Sequence, residues 1–82
     1  MDRQPRTRVA RIEARATCRA TRADIQAALF GEAPDSRIIW EMPGKRETSW
    51  LVQVPEELAI TQIHRFEQLR IHADLLGYRT AD

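Results

Sequence analysis

Seven of the first 22 residues are arginines, accompanied by only two acidic side chains, Asp2 and Glu13. Guanidinium groups bind carboxylates and phosphates through paired hydrogen bonds, so a series of arginines can recognise an acidic protein or a polyanion. Residues 23–82 hold six basic and ten acidic groups, so the net charge of +1 combines a basic end with an acidic remainder. This separation predicts attraction within one molecule, between two copies, or toward an external partner.

Residues 10–20 give the arginines a regular spacing. Small or apolar residues alternate there with polar ones, which is the period of a half-buried strand. In such a strand Arg11, Arg15 and Arg19 project from one face and form a basic stripe. The predicted partner-binding residues are these three together with Arg22, Lys45 and Arg46.

The basic stripe has two possible kinds of partner. A protein partner or a second copy of the chain is the first expectation, because arginine is enriched and lysine depleted at protein interfaces. Nucleic acid is the alternative, since arginine also binds phosphates. Both tryptophans are expected on the opposite, covered face of the sheet, where they could not stack on bases.

Other residues that could do chemistry lack the necessary spacing. Cys18 continues the small apolar series of its strand, and His64 and His72 are eight residues apart on one predicted helix. Neither arrangement is typical of a zinc site or of an activated nucleophile. The three glycines of the chain are explained by turns and helix ends, which excludes a phosphate-binding loop. We therefore expect no catalytic residue, no metal site, no cofactor and no small-molecule substrate.

A helix competes with the first strand. Apolar residues between Val9 and Phe30 also recur every three or four positions, and Ala and Arg favour helices. One long helix would place Cys18, Ile25 and Leu29 on or beside the arginines. A strand followed by a separate helix avoids this conflict and is preferred.

The separate helix has its own start and stop signals. The Thr21 hydroxyl can cap the first turn, with Asp24 three residues later in a capping-box position. The predicted helix covers residues 22–30 and ends at Gly31.

A hairpin follows. Residues 37–42 and 48–54 are rich in Ile, Trp and Val and are predicted strands. A loop of residues 43–47 would set Trp40 opposite Trp50 as a cross-strand aromatic pair.

The last predicted helix begins at Pro55 and ends at Gly77, and a short strand of residues 78–80 can follow. Its apolar stripe contains Ile60, Ile63, Phe66, Leu69, Ala73 and Leu76, widened by Ile71 and Leu75.

This order predicts an α+β fold. A small antiparallel sheet would carry two helices on one face, in the ferredoxin-like order βαββα(β). A helix-hairpin-helix arrangement is the alternative if the first segment is helical. The expected organisation is a flexible basic arm of residues 1–7 and a single small domain of residues 8–82.

The chain has 82 residues and one cysteine, and its apolar runs are far shorter than a membrane span. We therefore expect a small, soluble, cytoplasmic protein without catalytic activity. Its arginine-rich, lysine-poor composition is typical of a GC-rich bacterial gene. The expected function is binding through protein contacts, as a regulator or inhibitor of a larger complex.

Overall fold

The computed structural model describes residues 8–81, which contain four strands and two α-helices. The strands are β1 (Arg8–Thr17), β2 (Arg37–Pro43), β3 (Glu47–Pro55) and β4 (His72–Thr80). The helices are α1 (Arg22–Ala28) and α2 (Ala59–Gln68), the latter preceded by a 3-10 turn, Glu56–Leu58. The predicted α+β class is confirmed, while the predicted arm of residues 1–7 lies outside the described residues.

β1 is a central strand of the four-stranded antiparallel sheet, whose order is β2-β3-β1-β4. The predicted alternation is confirmed, because Ala10, Ile12, Ala14 and Ala16 are all buried on one face. The alternative helix through this segment is wrong. The strand begins at Arg8, two residues before the predicted segment, and ends at Thr17, three residues before its predicted end.

Both helices bury side chains in the core that covers this face of the sheet. Ile25 and Ala28 of α1 and Ala59 and Phe66 of α2 belong to the same buried cluster as Trp50. Small side chains on β1 allow the helices to approach the sheet closely. The opposite face of the sheet carries no helix from residues 8–81, and neither described helix has the length and apolarity to cross a membrane.

The start of α1 follows the predicted capping box. The backbone N–H of Asp24 donates to Thr21 Oγ1 over 3.3 Å, and the backbone N–H of Thr21 donates to Asp24 Oδ2 over 2.7 Å. Hydrogen bonds from the backbone and the side chain of Thr21 lower the pKa of Asp24. The helix ends at Ala28, two residues before the predicted end.

The second helix ends nine residues earlier than predicted, at Gln68 instead of Gly77. Ile71 N–H donates to Phe66 O over 2.8 Å and Arg70 N–H donates to Glu67 O over 3.0 Å, which together form a Schellman motif. Arg70 adopts the left-handed conformation, with φ 62°, that glycine usually supplies. No glycine therefore marks the true end of this helix in the sequence.

Residues 72–80 form β4 instead of a helical end and a three-residue strand. β3 pairs with one side of β1 and β4 pairs with the other. The backbone groups of β1 are therefore hydrogen-bonded on both sides. The register of the pairing between β1 and β4 shifts between Leu75 and Gly77. Arg11 lies opposite Gly77, but the next residue, Ile12, lies opposite Leu75. Leu76 is thus the extra residue of a β-bulge.

The predicted register of the hairpin is right at its outer end and wrong toward the loop. Ile38 lies opposite Val52 as expected. Ile39 is then the extra residue of a second bulge, so Trp40 lies opposite Leu51 instead of Trp50. Glu41 takes the place opposite Trp50. The fully buried Trp50 donates its indole N–H to Glu41 Oε2 over 2.9 Å, a hydrogen bond that a facing tryptophan could not accept.

A buried amide joins the end of α1 to α2. Gln62 is fully buried; its Oε1 accepts from Phe30 N–H over 2.8 Å, and its Nε2 donates to Ala28 O over 3.0 Å. These two backbone groups lie where α1 ends and have lost their helical partners. Gln62 therefore fixes how the chain leaves α1 on its way to β2.

Replacing Gln62 by methionine, which has a similar length, should lower the free energy of unfolding by about 2–4 kcal/mol, because two buried backbone groups lose their partner. Urea unfolding followed by circular dichroism measures the loss. Gln68→Met is the matched control, since Gln68 is exposed in the same helix and should change stability little. Equal stability of the two variants would contradict the assigned role of Gln62.

Candidate functional site

The face of the sheet without a helix, called here the open face, contains three rows of residues that lie directly opposite one another across all four strands, and a shorter row of Pro55, Val9 and Arg79. The first row is Arg37, Gln53, Arg11 and Gly77; the second is Trp40, Leu51, Glu13 and Asp74; the third is Met42, Ser49, Arg15 and His72. Directly opposed residues share a face, so these twelve side-chain positions form one surface.

The first row is basic. Arg11 Nε donates to Oε1 of the nearly buried Gln53 over 3.3 Å. Arg37 lies on the other side of Gln53, and Arg79 lies on β4 opposite Val9, one step beyond the row. Burial of its guanidinium, followed by the like charges of Arg79 and Arg37, lowers the pKa of Arg11. Three positive charges therefore concentrate at this end of the open face.

The β1 and β4 side of the second and third rows carries a network of ion pairs. Arg15 Nη2 lies 3.2 Å from Asp74 Oδ2, and Arg15 Nε lies 3.6 Å from Glu13 Oε1. His72 Nε2 is also 3.2 Å from Asp74 Oδ2. The charge of Arg15 is thus met by acidic groups of its own chain, so Arg15 is less available to an outside anion than the sequence indicated.

The β2 and β3 side of the same rows is apolar. Trp40 is partly exposed and Met42 is 62% exposed, while Leu51 between them and β1 is nearly buried. With Trp40 predicted on the covered face, alternation would set its neighbour Glu41 on the open face, but Glu41 lies on the Trp50 side. The aromatic side chain expected to be hidden is therefore accessible, and one expected acidic group is absent from the open face.

The remaining predicted residues lie away from the open face. Arg19 belongs to the turn after β1, Arg22 begins α1, and Lys45 and Arg46 form part of the β2–β3 loop. Cys18 Sγ lies 3.1 Å from Gly44 O, in hydrogen-bond contact, which holds the turn against the loop. Arg19, Lys45 and Arg46 therefore gather at the end of the sheet farthest from the first row.

Sequence reasoning missed Arg37, Arg79, Trp40 and Met42 as residues of this surface. The positions of Trp40 and Met42 depend on the bulge at Ile39, which strict alternation cannot reveal, and that of Arg79 depends on the pairing of β4 with β1. Arg37 lies at the outer end of the hairpin, where the predicted register is right, so its place opposite Gln53 could have been found. One signal was present: a buried tryptophan needs an acceptor for its indole N–H, and Glu41 can provide it only if the register shifts by one.

The histidines do not share an element. His64 lies in α2, whereas His72 lies in β4, so their expected placement on one helix is wrong. Within residues 8–81 no three His, Cys, Asp or Glu side chains are grouped so as to hold a metal ion. Cys18 is exposed rather than packed in the core.

A larger groove of about 540 Å³ lies on the other side of the sheet, between α1 and the end of α2. Alanines line much of it, and Arg65, Arg70 and Asp24 supply its charged groups. Asp24 is already occupied by the cap of α1. The open face offers a partner a more varied set of side chains than this groove does.

The exposure of Trp40 can be tested by acrylamide quenching of tryptophan fluorescence. Trp50→Phe leaves only Trp40 and should be quenched strongly, whereas Trp40→Phe leaves only the fully buried Trp50 and should be protected. Equal protection of the two variants, measured well below their unfolding temperatures, would show that Trp40 is covered and the register is wrong.

A comparison of the chain with protein-family models, with curated proteins and with solved structures finds no match.

Proposed function

We propose that this chain is a small non-catalytic protein that binds a protein partner through its open face, as a regulator or inhibitor of a larger complex. The observation that carries the proposal is the joint exposure of Trp40 and Met42 on a sheet face that no described helix covers. Large apolar side chains in water cost free energy, and a partner that covers them removes this cost.

The residue types of the open face support a protein contact. Tryptophan, methionine and arginine are enriched in interfaces, and tryptophan and arginine are frequent among the residues that contribute most to affinity. Trp40 and Met42 would form the apolar centre, with Arg11 and Arg37 at one end. The network of Arg15 with Glu13 and Asp74 would provide a polar border on the β4 side.

The proposal includes a ferredoxin-like arrangement of the fold. The element order βαββαβ supports it, as does a sheet in which β1 and β3 are the inner strands. The shared core of the two helices on one face also supports it. In such an arrangement the open face is the sheet surface left free for binding.

The proposal also includes a cytoplasmic setting. A single cysteine in the chain supports it, because Cys18 has no partner for a disulfide within one molecule.

A second candidate function, binding of single-stranded nucleic acid, is favoured by one specific observation. Trp40 shares the open face with Arg37 and Arg11, so an aromatic ring lies beside guanidinium groups. Stacking of bases on aromatic rings combined with phosphate contacts is how many proteins bind single strands. Glu13 and Asp74 on the same face oppose this function by repelling phosphates.

Met42→Glu should weaken binding of the protein partner by about tenfold or more, because a charge would enter the apolar centre of the interface. The partner is first captured from a nuclease-treated lysate of the source cells and identified, and its affinity is then measured by titration. Ile60→Glu is the matched control, because Ile60 is 58% exposed on α2, away from the open face, and Met42 is 62% exposed.

Unchanged affinity of both Met42→Glu and a variant with reversed charges at Arg11 and Arg37 would overturn the proposed contact. Capture from an untreated lysate that is absent from the nuclease-treated lysate would instead favour binding of nucleic acid.

A further inference from the structure

The basic end of the open face contains a small concavity of about 100 Å³. Arg11, Arg37 and Arg79 line it together with Gln53, Asp35 and Thr80. These arginines come from three different strands and are brought together only by the sheet. The concavity is thus a property of the fold and not of one stretch of sequence.

The positive charges around the concavity outnumber the negative ones, three arginines against Asp35. Among residues 8–81, none of Arg11, Arg37 and Arg79 lies within ion-pair distance of a carboxylate, although Asp35 also lines the concavity. Arg15, four residues along β1 from Arg11, shows the contrast, since two acids meet its charge. Three guanidinium groups held near one another repel, and a bound anion would remove this repulsion.

The hydrogen bonding of the first row leaves donors free for a ligand. Arg11 uses Nε for its bond to Gln53, so its terminal nitrogens remain available. Gly77 lies opposite Arg11 on β4 and has no side chain. A Cβ atom at this position would have no heavy atom within 4 Å apart from those of Gly77 and its two chain neighbours. The space above Gly77 is therefore open to an approaching group.

We propose that this concavity binds a tetrahedral oxyanion, specifically a phosphate group. Its volume corresponds to about three water molecules at roughly 30 Å³ each, so a phosphate fits while a larger group would extend into solvent. Arginine is suited to this ligand, because its planar fork donates two hydrogen bonds to neighbouring phosphate oxygens. The site does not depend on the proposed protein contact, which is centred on Trp40 and Met42.

The phosphate group can come from a small phosphorylated molecule or from a nucleic acid backbone. Inorganic phosphate tests the shared chemistry, and a short oligothymidylate tests the backbone. Oligothymidylate binding that is much tighter than phosphate binding, and that weakens in Trp40→Ala, would assign the site to a nucleic acid strand. Equal binding of the two probes would assign it to a small phosphorylated molecule.

The test is a titration of the full chain with inorganic phosphate at low salt. Calorimetry measures the affinity, and thermal unfolding measures the change in unfolding temperature. Phosphate should raise the unfolding temperature more than sodium chloride of the same ionic strength does, because it binds the folded state. Arg79→Gln should weaken phosphate binding by about tenfold or more, through loss of a charge-assisted hydrogen bond. Arg46→Gln is the control, since Arg46 is an exposed arginine in the loop at the other end of the sheet.

A second readout separates binding from folding. Without phosphate, Arg79→Gln should unfold at a higher temperature than the unaltered chain at low salt, because one repelling charge is gone. A merely structural arginine would show the opposite change. The proposal is wrong if phosphate stabilises the chain no more than chloride does, or if Arg79→Gln and Arg46→Gln bind phosphate equally well. Either result leaves the proposed protein contact intact.

Discussion

The pairing of β1 with a neighbour on each side is the constraint on which the rest of the structure depends. β1 aligns with β3 over nine residue pairs and with β4 over eight, so it determines the register of both. Its inward side chains are almost all alanine, which leaves room for Phe66 and Ile25 above the sheet. Its outward side chains, Arg11, Glu13 and Arg15, set the middle of each row on the open face. One short segment thus specifies both the core and the candidate surface.

Two departures from regular pairing shape the open face. The bulge in β2 turns Trp40 outward and Glu41 toward Trp50, and the bulge in β4 sets Gly77 beside Arg11. Both lie in edge strands, where an extra residue disturbs one ladder instead of two. The inner strands remain regular, so the irregularity adjusts the surface without disturbing the core.

The sequence revealed those parts of the fold whose signals are local. The alternation of residues 10–16 predicted β1, and Thr21 with Asp24 predicted the start of α1. The boundary between α2 and β4 was missed because Arg70, not a glycine, adopts the left-handed conformation, while apolar residues continue at helical spacing beyond it. Of the candidate site, Arg11 and Arg15 could be placed by alternation alone. Arg37 could be placed by the predicted register of the hairpin, whereas Trp40 depends on the bulge at Ile39 and Arg79 on the pairing of β4 with β1, which is distant in sequence.

The bulge at Ile39 also affects which deletions this chain can tolerate during evolution. Loss of this residue would leave Ile38 opposite Val52 and Trp40 opposite Leu51, now in regular succession, so no side chain would change face. The gene can therefore lose one codon at this point without exchanging the buried and exposed faces of β2. In most strands the same change would move every later side chain to the opposite face of the sheet. An edge strand with this tolerance allows the length of the chain to vary while its outward chemistry is kept.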